Sequence, residues 1–113
     1  MRAINSKNGR ELSNNVTVAD SLLKRMKGLL GKKEMQAGEA LWIEPCMSIH
    51  TFFMRFPIDV LFLNRRNKVI GLRKNLQPNR LTRIYFSAVS VLELPSGTLN
   101  TSDTRVGDEI EII

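Results

Sequence analysis

The chain of 113 residues has few of the side chains that metal and redox sites require, with one cysteine and one histidine. A single Cys46 excludes an intramolecular disulfide and any zinc site built from several cysteines. A single His50 excludes every metal motif that needs two histidines. The alternative left open is a metal site in which His50 is joined by a carboxylate such as Asp59 or Glu93. The sequence therefore predicts no metal and no cofactor.

Long apolar runs are also missing. The longest run, Val60 to Leu63, is the size of a strand, whereas a membrane helix needs about 18 apolar residues or more. The N-terminus has a basic residue with no apolar segment behind it, so no signal peptide is predicted. The free cysteine fits a reducing compartment. We expect a cytoplasmic protein without a membrane span, and an exported protein that has lost its leader is the alternative.

The composition is that of one globular domain over residues 1–113, but the charge is unbalanced. Hydrophobic residues make up 42% and charged residues 25%, while 17 Lys and Arg against 11 Asp and Glu give a net charge of +6. Residues 65–83 contain no acid. They hold seven basic residues: Arg65, Arg66, Lys68, Arg73, Lys74, Arg80 and Arg83. This pattern fits solvated hairpin edges or electrostatic docking to an acidic partner. Nucleic acid is a less favoured partner, because only the pair Tyr85–Phe86 could stack on bases.

The pattern of apolar residues predicts a chain built mainly of strands. Asn8–Gly9 favours a tight turn, so residues 2–12 are predicted to form a small hairpin at an edge. Residues 58–63 are apolar on both faces, which is typical of a central strand, and residues 69–72 return as its partner. Further strands are predicted at residues 40–43, 88–94 and 110–112.

One amphipathic helix is predicted over about residues 18–30. Thr17 and Asp20 fit a capping box, and Gly31 is placed to end the helix. Apolar residues at helical spacing form one stripe, which predicts that Ala19, Leu22, Leu23, Met26 and Leu30 are buried. The fold class is therefore mainly β (α+β), a small antiparallel β-sandwich or partly open barrel with one helix packed on it. The rest of the predicted core is Leu41, Ile43, Ile58, Val60, Phe62, Val89, Val91 and Ile110.

Residues 46–59 are the richest in side chains that could bind or react. Cys46 and His50 would be neighbours on a helix, but they would stand about 13 Å apart on an extended strand. Pro57 and the pair of phenylalanines favour extended or irregular backbone. A cysteine–histidine dyad would therefore need a turn, and a buried, inert cysteine is the favoured interpretation.

Asp59 and Glu93 are carboxylates that lie within apolar strands. Each shares a face with apolar neighbours, so each charge needs a partner if it is buried. Arg55 or backbone amides could be structural partners, since an arginine fork suits a carboxylate. The alternative is that one of these carboxylates works with His50 as a general acid or base.

Phe52, Phe53 and Met54 are consecutive, so on extended backbone at least one of them faces away from the core. An exposed ring there could anchor a partner, or it could be covered by residues 2–12 or 95–105. The polar rim of such a binding site is predicted to come from His50, Arg55 and Arg73.

The residues from His50 to Leu63 resemble the central signature of the domain-of-unknown-function 192 family of bacterial and archaeal proteins. Further similar stretches follow the family's order at residues 25–31, 91–97 and 106–110, so that the resemblance spans about residues 2–112. It implies a compact, mainly β, sandwich-like domain with one helix packed on it. It implies no activity, because the family has no established biochemical function. The resemblance also implies relatives that begin with an export signal, whereas no such signal is predicted here.

We expect a small, non-catalytic binding module that recognises a polar ligand or an acidic protein through residues 46–59 and the basic hairpin. Its predicted binding residues are His50, Phe53, Met54, Arg55, Asp59 and Arg73. A small hydrolase or transferase that uses His50 with Asp59 or Glu93 is one alternative, although no complete catalytic set is present. Nucleic-acid binding through residues 65–83 is the other.

Overall fold

The computed structural model describes all 113 residues and contains eight strands and two short helices. A small sheet has the strand order β2-β1-β8, and a large sheet has the order β3-β4-β7-β5-β6. The two sheets do not close into a barrel. The elements are β1 (Ala3–Asn5), β2 (Glu11–Ser13), β3 (Asn15–Ala19), α1 (Leu22–Lys27), β4 (Glu39–Ile43), β5 (Ile58–Leu63), β6 (Val69–Leu76), β7 (Ser90–Pro95), α2 (Thr98–Thr101) and β8 (Ile110–Ile112).

The large sheet buries both of its faces, and a separate core lies on each. One face packs against the small sheet, with Leu61 and Leu92 among fully buried side chains that meet Ala3 and Ile110. The other face is covered by the chain around α1 and by two irregular segments, residues 44–57 and 77–89. Successive side chains of a strand point to opposite faces of the sheet. Val60 and Phe62 of β5 therefore belong to this second core, whereas Leu61 belongs to the first. The predicted α+β sandwich is confirmed.

Most of the predicted strands are confirmed. β1 and β2 form the hairpin across the Asn8–Gly9 turn. β5 has the predicted bounds, lies between β7 and β6, and has all six residues buried. The partner strand β6 continues to Leu76, and β7 begins at Ser90, later than predicted. The short terminal strand β8 pairs with β1.

The predicted helix over residues 18–30 is wrong in its length and in the face that it buries. Residues 15–19 form β3, which pairs in parallel with β4, so that the sheet is mixed and not wholly antiparallel. Ser21 caps the helix by accepting a hydrogen bond from the N–H of Lys24, in place of the predicted Thr17–Asp20 box. The helix ends at Gly28, where φ is +46°, and not at Gly31.

The shortness of α1 changes which of its side chains are buried. A helix of six residues makes fewer than two turns, so its stripe is too short to lie along a sheet. Leu29 and Leu30, which follow the helix, pack on the core instead. Contrary to the prediction, three apolar side chains of α1 face solvent: Leu22, Leu23 and Met26. Leu23 is the most exposed of the three, at 78%. A second short helix, α2, was not predicted.

Candidate functional site

The largest concentration of reactive side chains surrounds a cavity of about 130 Å³ between α1, residues 45–50 and β7. We call it the Glu93 cavity. Apolar residues of the second core form about half of its wall. Its polar and charged lining comes from Arg25, Lys27, Cys46, Ser48, His50 and Glu93. An open groove of about 530 Å³ shares part of this lining and continues past Met47 and Ile84 to Val89.

Glu93 lies on the wall of this cavity in the middle of the large sheet. It pairs with Leu41 of β4 and Val60 of β5, and only 4% of the residue is exposed. Its Oε2 atom has no hydrogen-bond partner. Burial raises the pKa of Glu93 to about 8, because the charged form loses its hydration in an apolar environment. At neutral pH, Glu93 is therefore mainly a neutral carboxylic acid that can donate a hydrogen bond.

Arg25 of α1 contributes a second polar atom without a partner. One of its terminal nitrogens donates a hydrogen bond to the carbonyl of Pro45 at 3.2 Å, which ties α1 to the start of the irregular segment. The Nε atom of Arg25 is buried and has no partner. Arg25 and Lys27 therefore bring positive charge to the cavity wall that also holds the neutral Glu93.

Cys46 is half-buried in the same wall, and its thiol donates a hydrogen bond to the carbonyl of Ser48 at 3.1 Å. Burial raises the pKa of the Cys46 thiol and the carboxyl group of Glu93 adds to the rise, while the backbone of Ser48 and the nearby Arg25 partly offset it. A thiol with a raised pKa is a weak nucleophile at neutral pH, since the thiolate is the reactive form.

His50 lies at the exposed rim of the cavity. Its Nδ1 accepts a hydrogen bond from the N–H of Phe52 at 3.3 Å, and its ring stacks on that of Phe52 with centroids 5.2 Å apart. None of the ion pairs in the structure includes His50. The structure therefore brings His50, Cys46 and Glu93 to one cavity without joining His50 to a carboxylate.

Two buried threonines hold the rim in place. The Thr51 hydroxyl donates to the carbonyl of Gln77 at 2.6 Å and accepts from the N–H of Arg80 at 2.9 Å. The Thr82 hydroxyl accepts a hydrogen bond from the N–H of Ile49 at 3.0 Å. These contacts join residues 49–54 to residues 77–82 across the irregular layer, and the sequence analysis did not identify either threonine.

The three residues after Thr51 form a turn and not an extended strand, so the alternation that extended backbone would give does not occur. Phe53 has a φ of +65°, which is unusual for a bulky residue, and 85% of it is exposed. Phe52 is also exposed, whereas Met54 is buried against the core. Neither residues 2–12 nor residues 95–105 cover the ring of Phe53.

Asp59 lies on the opposite face of the large sheet, away from the Glu93 cavity. Its carboxylate accepts three backbone N–H groups, from Asn75 at 2.8 Å, Gly97 at 3.1 Å and Leu99 at 2.9 Å. It therefore anchors the start of α2 to β5 and β6. Arg55, an exposed residue, makes no ion pair with it.

Replacing Asp59 with asparagine is expected to lower the free energy of unfolding by about 2–3 kcal/mol. Asparagine has one acceptor oxygen where the carboxylate has two, so at least one buried N–H group loses its partner. Urea denaturation measures the change. Asp103→Asn is the matched control, because Asp103 lies in an exposed ion pair, and we expect less than about 0.5 kcal/mol there. An Asp59→Asn protein as stable as the parent would contradict the structural role.

The basic stretch does not form a single patch. Arg73 is exposed on β6 and does not line the Glu93 cavity, and Lys74 donates a hydrogen bond to Asn100 of α2. Arg83 lies over the ring of Tyr85, 3.8 Å from its centroid, in the layer that carries the cavity. No group of three or more His, Cys, Asp or Glu side chains is placed to hold a metal ion. Neither helix is long and apolar enough to cross a membrane.

The fold is thus a mixed β-sandwich in which an irregular layer covers one face of the large sheet and encloses the Glu93 cavity. Residues 3–112 match the model of the DUF192 family, described as "Uncharacterized ACR", and the chain belongs to this family. It is 32% identical to a UPF0127 protein of Pyrococcus furiosus, over 96% of this chain and 95% of that one. A UPF0127 protein of Thermococcus sibiricus is also 32% identical, over 96% of this chain and 72% of its own length.

Two solved structures share the fold. A protein of unknown function from Novosphingobium aromaticivorans superposes with a TM-score of 0.84 at 19% identity, covering 99% of this chain and 84% of its own. A protein from Sinorhizobium meliloti, described as a candidate transcription regulator, gives 0.80 at 22% identity, covering 97% and 89%. At these identities the likeness establishes the architecture alone.

Proposed function

We propose that the protein is a small binding module that recognises an acidic protein segment at one surface. This surface consists of the Glu93 cavity, the groove that continues from it, and the turn at Phe52–Phe53; we call it the α1 surface. The proposal rests above all on one observation. An open cavity and the groove that continues from it are lined by basic groups together with three exposed apolar side chains, Met26, Met47 and Ile84.

The apolar part of the α1 surface is contributed by separate segments of the chain. Met26 projects from α1, Met47 lies in the groove, and Ile84 lies on its far side; all three are exposed and line the cavity or the groove. Phe52 stacks on His50 at the cavity rim, and Phe53 follows it. Flexible methionines beside rigid aromatic rings provide contact area for a partner's apolar side chains.

The charge of the α1 surface favours an acidic partner. Arg25 and Lys27 line the cavity, and Arg83 precedes Ile84 at the groove. The one acidic side chain in this lining, Glu93, is buried and mainly neutral at pH 7. With a net charge of +6, the molecule would also attract an acidic segment before contact.

The conformation of Phe53 supports a role in binding. A positive φ in a residue that is neither glycine nor asparagine costs on the order of 1 kcal/mol or more, and such strain is concentrated at functional sites. The hydrogen bond from the N–H of Phe53 to the side chain of Asn79, at 3.3 Å, helps to hold the turn. Here the strained backbone presents an aromatic ring to solvent.

Replacing Phe53 with asparagine is expected to keep or raise stability by about 1 kcal/mol and to abolish binding. Asparagine tolerates the positive φ, so the fold loses strain while the surface loses its most exposed ring. A peptide library selected on the parent protein should enrich acidic peptides with aromatic or aliphatic anchors. Fluorescence anisotropy with an enriched peptide should then show at least about tenfold weaker binding by Phe53→Asn, as for a residue that dominates an interface.

Phe86→Asn is the matched control, because Phe86 is 81% exposed and lies at a different depression, which Asn64 and Arg66 also line. It should leave peptide affinity unchanged. Enrichment of basic peptides, or a Phe53→Asn protein that binds like the parent, would contradict the proposal.

Nucleic-acid binding is the competing outcome, and one of the structural neighbours is described as a candidate transcription regulator. DNA binding through the basic stretch would weaken steeply between low and moderate salt and would not depend on Phe53. Such a result with duplex or single-stranded probes, together with no acidic peptide bound, would favour that alternative. We prefer the acidic partner because Arg73 and Lys74, two members of the basic stretch, lie away from the basic groups of the α1 surface.

A further inference from the structure

Two buried polar atoms that lack partners belong to residues of the same cavity. They are Oε2 of Glu93, on β7, and Nε of Arg25, on α1. Buried polar groups are nearly always paired, and a pair of exceptions on one open cavity needs an explanation. The other two exceptions in the protein, Trp42 Nε1 and Ser90 Oγ, belong to residues that do not line it.

Both atoms can donate a hydrogen bond at neutral pH. Arg25 carries an N–H at Nε and a permanent positive charge. Glu93 is mainly protonated because it is buried, and its free oxygen is therefore available as an O–H donor. Two donors, one of them cationic, suit an oxygen acceptor that carries negative charge. Hydrogen bonds with one ionised partner are about twice as strong as those between neutral groups.

We propose that the Glu93 cavity binds one carboxylate of an acidic partner, which accepts hydrogen bonds from the Glu93 carboxylic acid and the Arg25 Nε–H. The inference rests on the proposed function, because it assigns the partner's acidic group to a particular pocket. The cavity of about 130 Å³ is several times the roughly 30 Å³ share of a water molecule, which leaves room for a carboxyl group and its adjoining carbon. The exposed apolar rim then contacts the rest of the segment.

Few other titratable groups face Glu93. Lys27 and His50 lie at the rim, and the Cys46 thiol lies in the same wall. The residues that pair with Glu93 on the two neighbouring strands are the apolar Leu41 and Val60. No second acid lines the cavity, so loss of the Glu93 proton places one negative charge where the ligand's charge would lie. A bound carboxylate would therefore dissociate as the pH rises above the pKa of Glu93.

The test uses the 113-residue protein labelled with nitrogen-15, and propionate is the probe. The Nε–H resonance of Arg25, assigned by its loss in Arg25→Lys, should shift on titration with millimolar propionate at pH 7.0. At pH 9.5 the affinity should be at least about tenfold weaker, because the protonated fraction of a group falls tenfold per pH unit above its pKa. Glu93→Gln should still bind propionate, since its amide donates a hydrogen bond, and its affinity should not change between the two pH values.

Methylammonium is the control probe, because a cation would pair with an ionised Glu93. Binding of methylammonium that strengthens with pH, in place of propionate binding, would overturn the assignment. A propionate affinity with the same pH dependence in Glu93→Gln and parent would also overturn it. If Glu93→Gln does not fold, the parent protein alone distinguishes the two kinds of site. A carboxylate site loses propionate as the pH rises, whereas a cation site gains methylammonium.

The two proposals can fail separately. If acidic peptides bind and depend on Phe53 while propionate causes no shift at Arg25, the binding module stands and the carboxylate pocket is wrong. If propionate binds as described while no acidic peptide is enriched, the pocket stands and the acidic protein partner is wrong.

Discussion

Replacing Phe62 with alanine is expected to lower the free energy of unfolding by about 3–5 kcal/mol. Phe62 is fully buried in β5, and its ring stacks on Tyr85 with the centroids 3.8 Å apart. Truncation removes the buried area of the ring and leaves a cavity between rigid strands that cannot collapse into it. Urea denaturation followed by circular dichroism measures the loss.

Phe86→Ala is the control, because this ring is exposed and its removal should change stability by less than about 0.5 kcal/mol. A loss below about 1 kcal/mol for Phe62→Ala would mean that the Tyr85 side of the core is loosely packed.

The stack depends on a glycine that periodicity alone does not explain. Gly71 of β6 lies opposite Phe62 in the sheet register, and a Cβ at this position would overlap the Tyr85 ring. Only a residue without a side chain lets Tyr85 lie this close to the strand. Because Tyr85 belongs to residues 77–89, the contact fixes the irregular layer, and with it the groove of the α1 surface, to the sheet.

The strands could be predicted well from the sequence because their signals are local. In β5 five of the six residues are apolar, and the strand is bounded by Pro57 and a polar turn, which allows little choice of register. The β1–β2 hairpin follows from Asn8–Gly9, a pair that favours a turn with positive φ. In both cases neighbouring residues alone determine the structure.

The helix could not be predicted correctly because its competitor is a distant strand. The predicted helical stripe counts Ala19 as its first residue, yet residues 15–19 gain backbone hydrogen bonds and burial by pairing with residues 39–43. The parallel pairing of β3 with β4 joins segments that are more than 20 residues apart, so a pattern within one segment cannot predict it. Once β3 forms, only six residues remain helical before Gly28, and their apolar side chains are left in solvent.

The candidate site could be predicted only in part. Glu93 shares a strand face with the apolar Val89 and Val91, which predicts a carboxylate that needs a partner, and the segment that covers it is predicted from its own side chains. Arg25 could not be predicted as a site residue, because its place in the same cavity wall depends on where a short helix packs. The sequence also groups Asp59 with Glu93, whereas the two lie on opposite faces of one sheet.

The stability of the protein is expected to fall as the pH rises from about 5 to about 9, and Glu93 is the cause. Its pKa is about 8 in the folded protein and near 4.5 when the chain unfolds. Between these values the folded state holds a proton that the unfolded state releases, so each step upward in pH favours unfolding. The stabilising contribution is complete below about pH 4.5 and is lost as the pH passes 8.

The size of this fall follows from the difference between the two pKa values. A difference of about 3.5 units, at roughly 1.4 kcal/mol per unit, corresponds to about 3–5 kcal/mol when relaxation around the ionised group is allowed for. Urea denaturation of parent and Glu93→Gln at pH 5, 7 and 9 measures it. The two proteins should be within about 1 kcal/mol at pH 5, and Glu93→Gln should be the more stable by several kcal/mol at pH 9.

Glu109→Gln is the matched control, because Glu109 is exposed near the C-terminus and should leave the pH profile of the parent unchanged. Parallel profiles for the parent and Glu93→Gln would show that Glu93 is already ionised at neutral pH in the folded protein. The cavity would then present a negative charge beside Arg25, and it could no longer offer two donors to a carboxylate.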